Sequence, residues 1–294
     1  MNVRRPRLSF SLPLCAPIPA LILGVLTMRE LDVPTSAWSM NLAAGVAGLL
    51  IFAVIRYPAW PVSRPAWYVM TISSIAAILW TLASNGVDGV HRWVFFGSFG
   101  LHAAAIVAPV IIACVATAPG RPLMIVTAAA TAILFALQPD ASQACSFAAA
   151  CAVILFHNLK FEPRKLAGGL VALMACSIVS LVRLDPLKPV RHVEGIFEVV
   201  SAKGAVWAIL ATAALLLLPI PYLLAWTQHR HSLSLALGVY VAMVTLAPAW
   251  GTFPVPLMGY GVSPILGYAI ALALSARSIS AASPVSARAP LSSA

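Results

Sequence analysis

The chain has 294 residues, of which 61% are hydrophobic and 9% charged, and it carries a formal net charge of +10. A soluble domain uses about 25% charged residues, so this stock cannot cover a water-facing surface and the solvent must be lipid. The basic residues sit singly at the ends of apolar runs, as topology determinants do, which excludes nucleic acid as the partner behind the positive charge.

Unbroken apolar runs such as Ala205–Ala225 differ from the alternating segments of about ten residues that build a membrane β-barrel. Helices satisfy their own backbone hydrogen bonds in lipid. The expected fold is therefore all-α: a polytopic integral membrane protein of about ten transmembrane helices. At the start, Arg4, Arg5 and Arg7 precede the apolar run Leu8–Leu26. No small-x-small cleavage site followed by a soluble domain appears, and the bulky Leu14 before Cys15 makes a poor lipoprotein site. The run reads as an uncleaved first span rather than a signal peptide.

The spans expected in chain order lie near Ser11–Met28, Trp38–Ile55, Ala66–Ala83, Val94–Thr117, Leu123–Leu137, Ala144–Phe156, Leu166–Val182, Gly204–Trp226, Leu233–Trp250 and Val262–Ala276. With the N-terminus inside, twelve of the eighteen basic residues fall in inside segments and only Glu162 of the eight acidic ones does. Dropping one helix scrambles this sorting, so the charges support an even number of spans with both termini cytoplasmic. Pro109, Pro219, Pro221 and Pro248 interrupt spans, and Pro219-Ile-Pro221 is the strongest candidate for a bend. Residues 1–276 read as one transmembrane domain and 277–294, rich in Ser, Ala and Pro, as a disordered tail. The five cysteines lie inside apolar runs without a Cys-x-x-Cys pair, which points to helix packing rather than a disulfide framework or a zinc site.

Chemistry is concentrated in four outer segments. In Asn85-Gly-Val-Asp-Gly-Val-His-Arg-Trp93 the glycines permit a tight turn. There Trp93 suits the membrane interface, and Arg92 either anchors there too or grips a phosphate or carboxylate through parallel hydrogen bonds. In Leu137-Gln-Pro-Asp140, Asp140 is placed to cap the next helix. The stretch Arg183–Lys203 gathers the densest charge cluster in the chain. If Glu194–Lys203 is helical, Glu194 and Glu198 lie one turn apart. That proximity raises one carboxyl pKa or invites a cation, and a solvated loop with local ion pairs is the alternative. Finally, Phe253–Pro264 is too rich in Pro and Gly for a regular span, and non-helical backbone at membrane depth must be buried or line a cavity. His91 and His192 could serve a cation but lack ligand spacing, so no metal site is assigned.

In this order the four segments resemble the SEDS family, the shape, elongation, division and sporulation proteins of bacteria. Asn85-Gly with His91-Arg-Trp-Val94 is similar to that family's Asn-Gly-Ala-Arg-Arg-Trp-Ile loop, and Gln138-Pro-Asp140 to its Gln-Pro-Asp. His192-Val-Glu-Gly-Ile-Phe197 resembles His-Thr-Asp-Phe-Ile-Phe, and Pro254-Val-Pro-Leu-Met-Gly-Tyr-Gly-Val-Ser263 the closing Pro-x-Pro-hydrophobic-x-Ser-Tyr-Gly-Gly-Ser. The resemblance implies a peptidoglycan glycosyltransferase that polymerises lipid II, or handles another undecaprenyl-linked sugar, at the outer face of the bacterial cytoplasmic membrane. It also implies a single-span transpeptidase partner and help from a divalent cation, Mg or Mn, with no ligands assignable.

By the same resemblance Glu194 stands at the essential aspartate as general base and Arg92 contacts phosphate. Trp93, Asp140, His192, Glu198, Pro254, Pro256, Tyr260, Gly261 and Ser263 line the substrate site. This chain departs from the pattern in having Glu for Asp at 194, Ala202 and Lys203 for two later acids, and Gly259 and Val262 in the closing motif. It also lacks the Gln-Pro-Ser-Glu segment and most of the large outer loop. Three readings follow: a lipid II polymerase, a non-catalytic relative that binds a lipid-linked sugar or a division or elongation partner, and a transporter or lipid flippase. Ionisable residues at span centres, which the last would need, are nearly absent, His102 being the nearest candidate.

Overall fold

Prolines start many of the helices, because a first-turn residue has no intrahelical partner for its N–H. The computed structural model describes residues 11–56, 63–97, 99–160, 162–183 and 185–282. A short helix α1 (Ser11–Cys15) leads into α2 (Ile18–Glu30), followed by α3 (Thr35–Arg56) and α4 (Arg64–Ala83). A two-stranded hairpin, β1 (Trp93–Phe96) and β2 (Phe99–His102), precedes α5 (Ala103–Ala116), α6 (Arg121–Leu137), α7 (Ala141–Leu159) and α8 (Pro163–Val182). Then come the short α9 (Ile196–Ser201), α10 (Ala205–Leu216), α11 (Ile220–His229), α12 (Ser232–Leu246) with a 3-10 turn at Ala247–Ala249, and α13 (Val262–Ala282).

Six described segments are long and apolar enough to cross a bilayer alone, α10 with α11 makes a seventh, and α5, α6 and α13 are shorter apolar helices. Together these are ten apolar segments, at the places of the ten expected runs. The protein is a multi-pass, helical membrane protein. The bend falls at the proline pair, where α10 and α11 diverge by 40°. Two expectations need correction. The fourth span does not begin at Val94: its first third is the hairpin, because Trp93, Val94, Phe95 and Phe96 favour strand and Gly97, at φ +63°, turns the chain back. The helix expected to end near Ala276 continues to Ala282, and the rest of that expected tail lies outside the described residues, as do Arg4, Arg5 and Arg7.

Val54, Ile72, Trp80, Val182 and Val206 are exposed on the helical surface, as a lipid-facing surface requires. The interior is built of small residues, with Ala104, Ala108, Ala132, Ala144 and Ala150 buried beside Thr71, Thr127 and Thr131. In lipid, helices associate through close packing of such residues rather than through a hydrophobic drive. Helix α13 packs against α3 and α5, and α12 against α7. At Gly267 the α5 backbone comes so close that a Cβ would stand 2.0 Å from the Ala105 carbonyl oxygen. The five cysteines are unpaired and spread over α1, α5, α7 and α8. At one end of the bundle Glu162, before α8, pairs with Arg121 and Lys165. The four segments singled out above meet at the other end.

Candidate functional site

The first segment folds as two successive turns. Val87 and Val90 exchange backbone hydrogen bonds (3.0 and 2.8 Å) around Asp88-Gly89, both at positive φ, the Asp-Gly signature of a two-residue hairpin turn. His91 Nδ1 meets the Ser84 carbonyl at 2.8 Å, so His91 secures the loop. Arg92 is buried. Its Nε donates to the Gln138 carbonyl (3.2 Å), and Nη2 donates to the Pro139 carbonyl and meets Asp185 Oδ2 at 2.8 Å. The guanidinium therefore ties the hairpin, the α6–α7 connection and the Arg183–Lys203 stretch into one unit. These contacts engage Nε and Nη2, and Arg92 also lines the cavity described below.

Asp140 caps α7, accepting from Gln143 N at 3.1 Å, and its other oxygen meets His102 Nε2 at 2.9 Å. His102 caps α5 in turn, Nδ1 accepting from Ala105 N at 3.2 Å, which leaves the proton on Nε2. Burial alone would raise the Asp140 carboxyl, but the His102 hydrogen bond, the Arg92 charge and the Gln143 N–H outweigh it and hold it at about 2. His102 therefore belongs to this junction and not to a mid-membrane pathway. Trp93 packs edge-on against its ring, centroids 5.7 Å apart.

Glu194 stands in the turn before α9 and not on the helix, which starts at Ile196 beyond Gly195. Its Oε2 accepts from Val190 N at 2.7 Å. Glu198 is exposed and does not line the cavity, so the expected Glu194–Glu198 pair is replaced by another: Asp185 is the carboxylate whose charge acts on Glu194. Partial burial first, and Asp185 further, raise the Glu194 carboxyl above its ordinary value, against the opposing Val190 N–H and His192.

The closing segment pairs with this turn through Val255 N to Val193 O (3.3 Å) and Tyr260 N to His192 O (2.9 Å). Asn41 of α3, buried in a span, clamps the same segment twice: Nδ2 donates to the Gly259 carbonyl (3.0 Å) and Oδ1 accepts from Gly261 N (3.1 Å). Ser263 Oγ accepts from His102 N at 2.8 Å. A Cβ at position 259 would stand 2.6 Å from the Val193 carbonyl oxygen, which gives a physical reason for glycine there. Asn41 escapes a reading of the sequence because nothing local distinguishes one asparagine in an apolar run.

These segments enclose a cavity of about 680 Å³. Arg92, Trp93, Asp140, Glu194, Pro254, Pro256, Tyr260, Gly261 and Ser263 all line it; His192, which packs its ring against Tyr260 (6.2 Å between centroids), and Glu198 do not. Asp88, Asp185 and Lys188 join the charged part of the wall, while Leu218, Val241, Val244 and Tyr268 line the apolar part. Lys188 is exposed and makes no ion pair among the described residues. Gln143 also lines the wall, its Oε1 accepting from the Tyr240 hydroxyl at 2.7 Å. The implied divalent cation finds no ready cage. Among the described residues no three His, Cys, Asp or Glu side chains converge, and Asp185 is engaged by Arg92 and by Leu187 N (3.1 Å).

No protein-family model and no curated protein matches the sequence. Solved structures do. The rod shape determining protein RodA of Thermus thermophilus is similar over 91% of this chain and 97% of its own, with 19% identity and a TM-score of 0.66. The chain has the RodA fold. An aspartate-to-alanine variant of RodA matches over 92% and 98% at the same identity and TM-score. So does a chain from a study of how a peptidoglycan synthase complex coordinates polymerization and crosslinking, with 20% identity over 92% of this chain and 98% of that one. The SEDS resemblance carried by the four loop motifs and the RodA fold reached through the helices thus meet in one architecture.

Proposed function

We propose that this protein is a SEDS-type glycosyltransferase that polymerises lipid II at the outer face of the bacterial cytoplasmic membrane. The observation that carries the reading is the cavity itself: a charged part holding Glu194, Asp185 and Lys188 continues into an apolar part lined by Leu218, Val241 and Val244. A ligand with a polar, anionic head and a hydrocarbon tail matches both parts. Glu194 takes the proton from the attacking sugar hydroxyl, the new glycosidic bond forms at the anomeric carbon, and the bond to the diphosphate breaks with the lipid diphosphate leaving. A carboxyl raised by burial and by Asp185 is a better base than an ordinary glutamate. Lys188, free of ion pairs among the described residues, meets the diphosphate in place of Arg92, whose part is to hold Asp185 and the hairpin.

The alternative of a non-catalytic binder draws on one observation, the internal use of the Arg92 donors. Purified protein given labelled lipid II separates the two: glycan strands form and vanish with Glu194→Gln under the catalytic reading. A binder retains the lipid and makes none. A single-span transpeptidase and a role in cell shape or division belong to the same proposal. They are supported by the loop motifs and by the fold, and co-purification from a native membrane tests them. The flippase reading loses its one candidate residue, since His102 is committed to Asp140.

A further inference from the structure

At the opposite end of the bundle a groove of about 590 Å³ opens between α7, α8, α11 and α12. Phe156, Leu170 and Leu235 are among its apolar lining, and His157, Trp226 and Arg230 line it too. Arg230 follows α11 in the left-handed conformation, φ +55° and ψ +25°, which turns the chain sharply into α12. Its guanidinium lies over the Trp226 ring, 4.9 Å from the centroid, and it makes no ion pair among the described residues. Arg121 differs: it lies at the same end and is neutralised by Glu162.

The groove is hydrocarbon-lined where helices face lipid and cationic where they reach the headgroups. No acidic residue stands among its lining. A basic pocket between transmembrane helices is the arrangement that recognises an anionic phospholipid, with acyl chain on the apolar wall and phosphate on arginine. Tryptophan at headgroup depth holds the arginine in place by its ring face.

We propose that this groove is a specific site for one anionic phospholipid in the leaflet opposite the catalytic cavity, with Arg230 on the phosphate. The site is independent of the glycosyltransferase reading. It is tested by native mass spectrometry of the full chain released from detergent, titrated with phosphatidylglycerol or with phosphatidylcholine. Arg230→Asn removes the charge with a residue that tolerates the left-handed backbone. Leu235→Trp fills the groove without changing charge, and Arg121→Ala removes an equal charge at the same end. The expected result is one retained phosphatidylglycerol, preferred over phosphatidylcholine, with retention falling about tenfold in Arg230→Asn, a factor worth about 1.4 kcal/mol. Leu235→Trp falls similarly and Arg121→Ala is unchanged. Equal retention of the two lipids, an equal fall in Arg121→Ala, or no fall in either groove variant overturns the site.

Discussion

Replacing Asn41 by leucine removes both bonds that hold the closing segment to α3 and puts a side chain of similar size in their place. The two backbone groups left behind do not suffer equally. Gly259 is buried, so its carbonyl loses its partner outright, whereas Gly261 lines the cavity, where water can reach its N–H. An unpaired buried group costs about 1–3 kcal/mol, and one full loss with one partial loss comes to about 2–4 kcal/mol. With roughly 2 cal/mol/K of unfolding entropy per residue, that corresponds in a chain of this size to a fall of about 3–6 °C in the unfolding midpoint. Cys114 and Cys151 are buried and report the transition when a thiol-reactive fluorophore is added during heating. Leu42→Ala, on the exposed side of the same helix, is the control and leaves the midpoint in place. An Asn41→Leu midpoint indistinguishable from the parent would show that the clamp contributes nothing, and the account of how the closing segment is held would be wrong.

Gly259→Ser restores the residue of the SEDS motif yet destabilises this protein, because the new Cβ meets the Val193 carbonyl oxygen at 2.6 Å; the same heating experiment reads a loss of about 1–3 kcal/mol. Asp140 has a folded carboxyl held at about 2, below its ordinary 3.8, so its contribution is complete above the ordinary value and is lost as pH falls through the folded one. The parent therefore loses about 2 kcal/mol relative to Asp140→Asn between about pH 4 and about pH 2, read from the difference in their midpoints. Under the proposed glycosyltransferase reading the raised Glu194 carboxyl puts the acid limb of the rate above the ordinary glutamate range, and Asp185→Asn moves that limb to lower pH. A limb that Asp185→Asn leaves in place separates Glu194 from its supposed neighbour.

Features that depend on composition and local pattern could be read directly. Ten apolar runs, the bend at Pro219-Ile-Pro221 and the cap at Asp140 follow from hydropathy, the missing proline donor and a short acid before a helix. The hairpin was hidden because Trp93–His102 is as apolar as a span and runs straight into α5; only the aromatic and β-branched content around Gly97 marks it as strand. The Glu194–Glu198 face failed at Gly195, which stands before the helix and leaves Glu194 outside it. Asn41 and the Gly259 carbonyl are 218 residues apart, and His102 joins Asp140 across two helices, so no local spacing could announce either contact.

The position of Glu194 is an outcome of those distant contacts. It sits on a turn, and a turn has no helical ladder of its own to hold a side chain. What holds it is the pairing of its neighbours Val193 and His192 with Val255 and Tyr260. That pairing depends on the closing segment, which Asn41 anchors to α3 and Ser263 anchors to the hairpin. The hairpin is tied through Arg92 to Asp185, the carboxylate whose charge acts on Glu194. The chain of contacts closes on itself. Substitutions of Asn41, which does not line the cavity, therefore move the proposed base without touching substrate, and they lower turnover more than they weaken retention of the lipid substrate. Under the non-catalytic reading the same substitutions would change binding alone, so measuring retention and turnover on one preparation distinguishes a base held in place from a wall that merely encloses a ligand.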